Sequence, residues 1–157
     1  MSILESLHDL SVSKGVSVAV AESCTSGLVA SKLTLKSGSS SFFKGGIIAY
    51  QNAVKIKILG VDERVILQHT EVSAEVVRQM AKGVRNSFLA DYSIATSGYA
   101  GPSGGTSNNP TGTVFIAISS ASGVDVERFI FSGNRQSIVN QASEKAVSLL
   151  YDAIKKH

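Results

Sequence analysis

At 157 residues, 43% hydrophobic and 17% charged, the chain fits one globular domain with a sizeable core and is too apolar to be disordered. Its net charge of +3 comes from scattered Lys and Arg with no run longer than Lys155-Lys156, which argues against nucleic acid as a partner. No apolar stretch approaches the roughly 20 residues of a membrane span, no apolar leader is visible, and the single Cys24 excludes an internal disulfide, so the expected compartment is the cytoplasm.

Ile3, Leu4, Leu7 and Leu10 recur at helical spacing, and Gly15 ends that segment. Residues 16–21 read as a first strand, and residues 27–35 as a short helix with Leu28, Val29 and Leu33 on its apolar side. A Ser/Gly loop spans 36–41. Residues 45–50 predict a second strand. Asn52 is placed to cap a helix carrying Val54, Ile58 and Leu59, which Gly60 stops. Asp62 opens another short helix. Ser73 caps a longer one, with Val76, Val77, Met80, Ala81, Val84 and Phe88 inward and Glu75 in the first turn.

Residues 92–97 form a third predicted strand, followed by a long Gly/Ser/Asn/Pro loop over 98–112. Residues 113–119 and 124–131 predict a hairpin across Ala121-Ser122-Gly123. Asn134 then caps a terminal helix reaching about Lys156. Strands alternating with helices predict one α/β domain over 1–157. Its expected form is three α/β/α layers around a mixed, mainly parallel sheet of about five strands.

In such sheets, sites gather at the carboxyl ends of strands, and three polar clusters fall there. The first is Glu22-Ser23-Cys24-Thr25-Ser26-Gly27, a strand–turn–helix sequence whose backbone N–H groups suit an oxyanion or phosphate beside a nucleophile. A capped helix start is the plainer alternative. The second is Tyr50-Gln51-Asn52 with Lys55 one turn on. The third, residues 97–106, has four glycines in eight residues at Gly98, Gly101, Gly104 and Gly105. Its N–H groups could wrap an anion, or it could be a surface loop. Neither the P-loop nor the dinucleotide fingerprint spacing occurs in it.

His8, His69 and His157 lack partners at metal spacing, so no metal is expected and a Ser-His-Asp triad is disfavoured. A Ser–Lys pair remains, with Lys55 the candidate base if burial lowers its pKa; a solvated helix lysine is the alternative. Cys24 is the rival nucleophile, activated if a helix N-terminus lowers its pKa, or else a small buried residue. Tyr50 could stack on a ring or hydrogen-bond a substrate. Arg135 could grip a phosphate or be a surface arginine.

Taken together, Ala21-Glu22-Ser23-Cys24-Thr25-Ser26-Gly27, Gly38-Ser39-Ser40, Ala49-Tyr50-Gln51-Asn52-Ala53-Val54-Lys55, Leu59-Gly60-Val61, Thr96-Ser97-Gly98-Tyr99-Ala100-Gly101-Pro102 with Gly104-Gly105, Pro110-Thr111-Gly112-Thr113-Val114 and Phe131-Ser132-Gly133-Asn134-Arg135 resemble the signature blocks of the CinA C-terminal domain family, the nicotinamide-nucleotide amidases. The resemblance runs from about Leu4 to Ile154. It implies a three-layer α/β/α homodimer without cofactor. The implied reaction hydrolyses nicotinamide mononucleotide to nicotinate mononucleotide and ammonia, in pyridine nucleotide recycling. Carried over, Ser23 is the nucleophile and Lys55 its general base. Tyr50, Ser97, Thr25, Gly98, Gly101, Gly104 and Arg135 contact the substrate, and the backbone of Cys24 and Thr25 forms the oxyanion site. Either the glycine loop or Arg135 would hold the phosphate.

The chain departs from that pattern. Ser26 stands where the family usually has Gly, a cost of about 1–2 kcal/mol if the position takes positive φ. Ala53-Val54 precedes Lys55 where an acidic residue and Ala are common. Tyr99, Ser103 and Asn109-Pro110-Thr111 also differ. A catalytically silent nucleotide-binding module of the same fold is therefore the alternative function.

Overall fold

The computed structural model describes residues 1–157. Its elements are α1 (Ile3–Lys14), β1 (Val18–Glu22), α2 (Leu28–Leu33), β2 (Phe43–Ile48), α3 (Asn52–Lys57), α4 (Glu63–His69), α5 (Ala74–Phe88), β3 (Tyr92–Gly98), β4 (Thr113–Ser120), β5 (Gly123–Ile130) and α6 (Arg135–Lys156). A 3-10 turn covers Ser39–Ser41.

Local chemistry sets the helix ends. Ser2 and Glu5 close a capping box on α1, and Gly15 ends it in the left-handed conformation. Asp62, Ser73 and Asn134 each accept an N–H of the first turn of α4, α5 and α6. The cap of α3 differs from expectation: Gln51 holds that position without a side-chain bond, and Asn52 is already helical. Two strands are also shifted. β1 begins at Val18 rather than Val16, because Val16 N–H still closes the turn after α1 on Ser11 O, while Val18 already pairs with Phe43 and Tyr92. β2 begins at Phe43 rather than Gly45 and ends at Ile48, so pairing to β1 overrides the low strand propensity of its two glycines.

The sheet has five strands in the order β2-β1-β3-β4-β5. β1 pairs in parallel with β2 and β3; β3–β4 and β4–β5 are antiparallel. Four strands therefore run one way and β4 alone runs back. Alternation along the strands divides the core into two layers. Val18, Val20, Ile94, Val114, Ile116 and Ile118 face α1, α2 and α6. Ala19, Ala21, Ala95, Phe115 and Ala117 face α5 and the α3–α4 segment. Each fully buried branched side chain contributes roughly 1.5–3 kcal/mol. The small alanines let α5 lie close to the sheet, with Val76, Val77, Met80, Ala81 and Val84 all buried. Phe88 is only partly buried. The register puts Glu22 beside Ile48 and Thr96, so β1, β2 and β3 end together on one edge of the domain. No helix is long and apolar enough to cross a membrane.

Candidate active site

At that edge lies a cavity of about 210 Å³, lined by Ser23, Cys24, Tyr50, Lys55, Ser97, Gly98, Gly101 and Arg135 among others. Ser23 directly follows β1. Its N–H donates to Thr96 O at 3.1 Å and its carbonyl accepts Ser26 N–H at 3.1 Å, which fixes the turn. Lys55, on α3, is 1% exposed. Its Nζ sits 3.2 Å from Ser23 Oγ and 3.3 Å from Tyr50 O. Burial pushes the Lys55 ammonium below the ordinary lysine value; the negative charge of Glu71 opposes that shift. A buried amine at hydrogen-bond distance from a hydroxyl is the geometry of a base and its nucleophile.

Cys24 does not have the chemistry expected of a helix N-terminus. Its thiol is buried and pushed up to about 12, chiefly by desolvation, so the thiolate is absent near neutrality. Of the two readings of Cys24, the structure favours the small buried residue. The α2 amides that would have lowered that pKa are engaged elsewhere. Glu22, 1% exposed, accepts Val29 N–H and Ala30 N–H, each at 2.9 Å, and Thr25 Oγ1–H at 2.5 Å. Sequence reasoning passed over Glu22 as part of a turn. An acidic residue seven and eight positions before two helical amides was the available signal. The N–H groups of Cys24 and Thr25 donate to no other residue.

Thr25 itself is not on the cavity. Its hydroxyl lies inside, between Glu22 and Thr96 Oγ1 at 2.8 Å. The residue instead borders a second groove, which shares Cys24 and Arg135 with the cavity and continues over Ser26, Gly27 and Gln136. Gly104 borders neither. Glycine at two positions of the 98–105 loop is required by the chain's own packing, and both also line the cavity. A Cβ on Gly98 would come within 2.6 Å of Thr113 O, and Gly101, at φ 81°, would meet Thr111 Cγ2 at 2.6 Å. Gly101 O accepts Arg135 Nη1–H at 2.7 Å, while Arg135 Nη2–H donates to Tyr50 Oη at 2.8 Å. Arg135, at the first position of α6, thus bridges the glycine loop and the β2–α3 corner at the cavity mouth.

Ser97 Oγ donates to Glu71 O at 2.7 Å, so it holds the α4–α5 connection against β3. That contact brings Glu71 into the cavity wall, a residue the sequence analysis did not single out. Ser26 does take positive φ, at 43°, and Ala53 is exposed on the outer face of α3. No group of three or more His, Cys, Asp or Glu is arranged to hold a metal ion.

Comparison with known proteins agrees with this fold. The model of the CinA C-terminal domain matches residues 1–154. A CinA-like protein from Flavobacterium psychrophilum is 39% identical over 151 residues, covering 96% of this chain and 36% of that protein. One from Shewanella pealeana is 46% identical over 123 residues, covering 78% and 29%. The chain thus spans about a third of the length of the curated relatives it matches. Solved structures match end to end. A competence-damaged protein (CinA) superfamily protein from Klebsiella pneumoniae superposes with TM-score 0.93 at 29% identity, covering 100% of both chains. A competence or damage-inducible protein from Enterobacter asburiae gives 0.93 at 32%, covering 97% and 96%.

Proposed function

The chain belongs to the CinA C-terminal domain family, and on that premise we propose that it is an amidohydrolase acting on nicotinamide mononucleotide, with Ser23 as nucleophile and Lys55 as general base. The observation that carries this reading is the 3.2 Å contact between Lys55 Nζ and Ser23 Oγ, made by a lysine that is 1% exposed, on the wall of a cavity.

Ser23 Oγ attacks the carboxamide carbon while Lys55 Nζ takes the hydroxyl proton. The negative charge on the former carbonyl oxygen meets the N–H groups of Cys24 and Thr25; one such donor is typically worth about 3 kcal/mol. The C–N bond then breaks, with the Lys55 proton passing to the leaving nitrogen as ammonia departs. Water attacks the acyl ester, again giving its proton to Lys55, and that proton returns to Ser23 Oγ. Every step uses one base at one position.

The cavity of about 210 Å³ has room for a ring and its carboxamide, but is smaller than the usual site for a whole nucleotide. The ribose and phosphate therefore extend past Arg135 into the second groove, where the Arg135 guanidinium and the hydroxyls of Ser26 and Ser31 suit an anion. This favours Arg135 over the glycine loop as the phosphate contact.

A silent nucleotide-binding module is the second reading, favoured by the strained Ser26 three residues after the nucleophile. The Ala53 departure does not support it, because that side chain is exposed and away from the cavity. Assay of ammonia release from nicotinamide mononucleotide, beside Ser23→Ala, separates the two. The amidase reading expects product that the variant abolishes; the silent reading expects none from either.

A further inference from the structure

Among the residues lining the cavity, Glu71 is the one carboxylate. The connection that carries it, residues 70–72, is held by three side-chain hydrogen bonds. Ser97 Oγ–H reaches the Glu71 carbonyl at 2.7 Å. Ser73 Oγ–H bonds Thr70 O at 2.9 Å, and Asn109 Nδ2–H bonds Val72 O at 3.3 Å. Thr70 just before it sits at φ 69°, left-handed backbone that a β-branched residue seldom adopts. Its carboxylate makes no hydrogen bond and no ion pair within the protein: Lys36 pairs with Asp9 and Arg64 with Asp62, while the imidazoles of His8 and His69 lie beside Asp9 and Glu75. An unpaired charge on a residue lining a cavity acts on whatever fills the cavity.

We propose that Glu71 is a specificity-determining residue, selecting at the Ser23 end of the cavity a carboxamide carried on a cationic ring over the same carboxamide on an uncharged ring. This deepens the amidase reading above and rests on it. The charges of the site are arranged along its length. Glu71 stands close enough to Lys55 for its field to bear on that ammonium. Once Lys55 is the neutral base, Glu71 is the charge left near it. Arg135 stands at the mouth, tied to Tyr50 Oη and Gly101 O. Negative inside and positive outside complements a molecule with a cationic ring and an anionic tail, such as a pyridinium mononucleotide. Free nicotinamide has neither charge. Hydrolysis then turns the neutral carboxamide into a carboxylate beside Glu71, and repulsion between the two speeds product release.

The test compares nicotinamide mononucleotide with its reduced form, which has the same carboxamide and phosphate on an uncharged ring. Intrinsic reactivity of the two amides differs, but it cancels when the ratio of their kcat/KM values is compared between variants. Glu71→Gln is expected to lower that ratio about tenfold, through loss on the cationic substrate alone. Glu71→Asp, which keeps the charge, is expected to retain most of the preference. Equal losses on both substrates, or no change in ratio, would overturn the inference while leaving the amidase reading intact. Equilibrium binding of both compounds to Ser23→Ala, with and without Glu71→Gln, reads the same ratio without turnover. If wild-type protein cleaves neither compound, the amidase reading fails, and the binding ratio alone decides the role of Glu71.

Discussion

Glu22 is the residue on which the geometry of the nucleophile turn depends, and its replacement has a calculable cost. Glu22→Ala removes the acceptor of three donors: the Val29 and Ala30 amides at 2.9 Å and the Thr25 hydroxyl at 2.5 Å. Thr25 keeps Thr96 Oγ1 at 2.8 Å, so two buried or half-buried amides are orphaned. Each costs roughly 1–3 kcal/mol. Relief of the carboxylate's own desolvation offsets part of that, which leaves a loss of about 3 kcal/mol. For a chain of this size, about 2–4 °C of melting temperature accompanies each kcal/mol, so the midpoint falls by about 10 °C. Glu22→Gln keeps one oxygen for Val29 and Thr25 but turns an NH2 toward the Ala30 amide, a loss of about 2 kcal/mol. Urea unfolding measures both, as a fall in midpoint at unchanged slope. A loss under about 0.5 kcal/mol for the alanine variant, or a glutamine variant worse than the alanine one, would refute the assignment of Glu22 as the anchor of α2. Activity is expected to fall with stability, because the same turn carries Ser23 and the Cys24 and Thr25 amides.

Other outcomes follow from the site. Lys55 works as the neutral amine and burial favours that form, so kcat/KM rises with pH through an inflection below the ordinary lysine value. Folding stability rises with pH over the interval between that inflection and the unfolded lysine pKa, where the unfolded state binds the extra proton; pH-dependent urea midpoints check the sign. Native Cys24, with its thiol pushed up to about 12, is expected to resist iodoacetamide at neutral pH and to react once the protein is unfolded, as mass spectrometry reads. Arg135→Ala breaks the bridge to Tyr50 Oη and Gly101 O and is expected to raise KM about tenfold. Ser26→Gly relieves a positive-φ serine and is expected to stabilise by up to about 1 kcal/mol in thermal melting.

What was legible in the sequence was local or periodic. The caps at Asp62, Ser73 and Asn134 and the inward face of α5 follow from neighbouring residues, and the structure has them. The pairing of Ser23 with Lys55 is implied by the family resemblance, the residue types alone leaving Lys55 a candidate, and the register of β1 with β2 brings the two together. What was not legible depends on distant partners. Glu22 continues β1 because Val29 and Ala30 N–H satisfy its carboxylate. Glu71 reaches the cavity because Ser97, on another strand, holds its carbonyl. The close approach of Thr113 to Gly98 and of Thr111 to Gly101 likewise depends on residues distant in sequence.

The central claim is a Ser23–Lys55 dyad that hydrolyses a nucleotide carboxamide. Its most direct test incubates the protein with nicotinamide mononucleotide and measures ammonia and nicotinate mononucleotide together, beside Ser23→Ala and Lys55→Ala. The account predicts the two products in equal amounts from the wild type and neither from the variants. Absence of product from folded wild type that binds the nucleotide, or undiminished product from either variant, would contradict it.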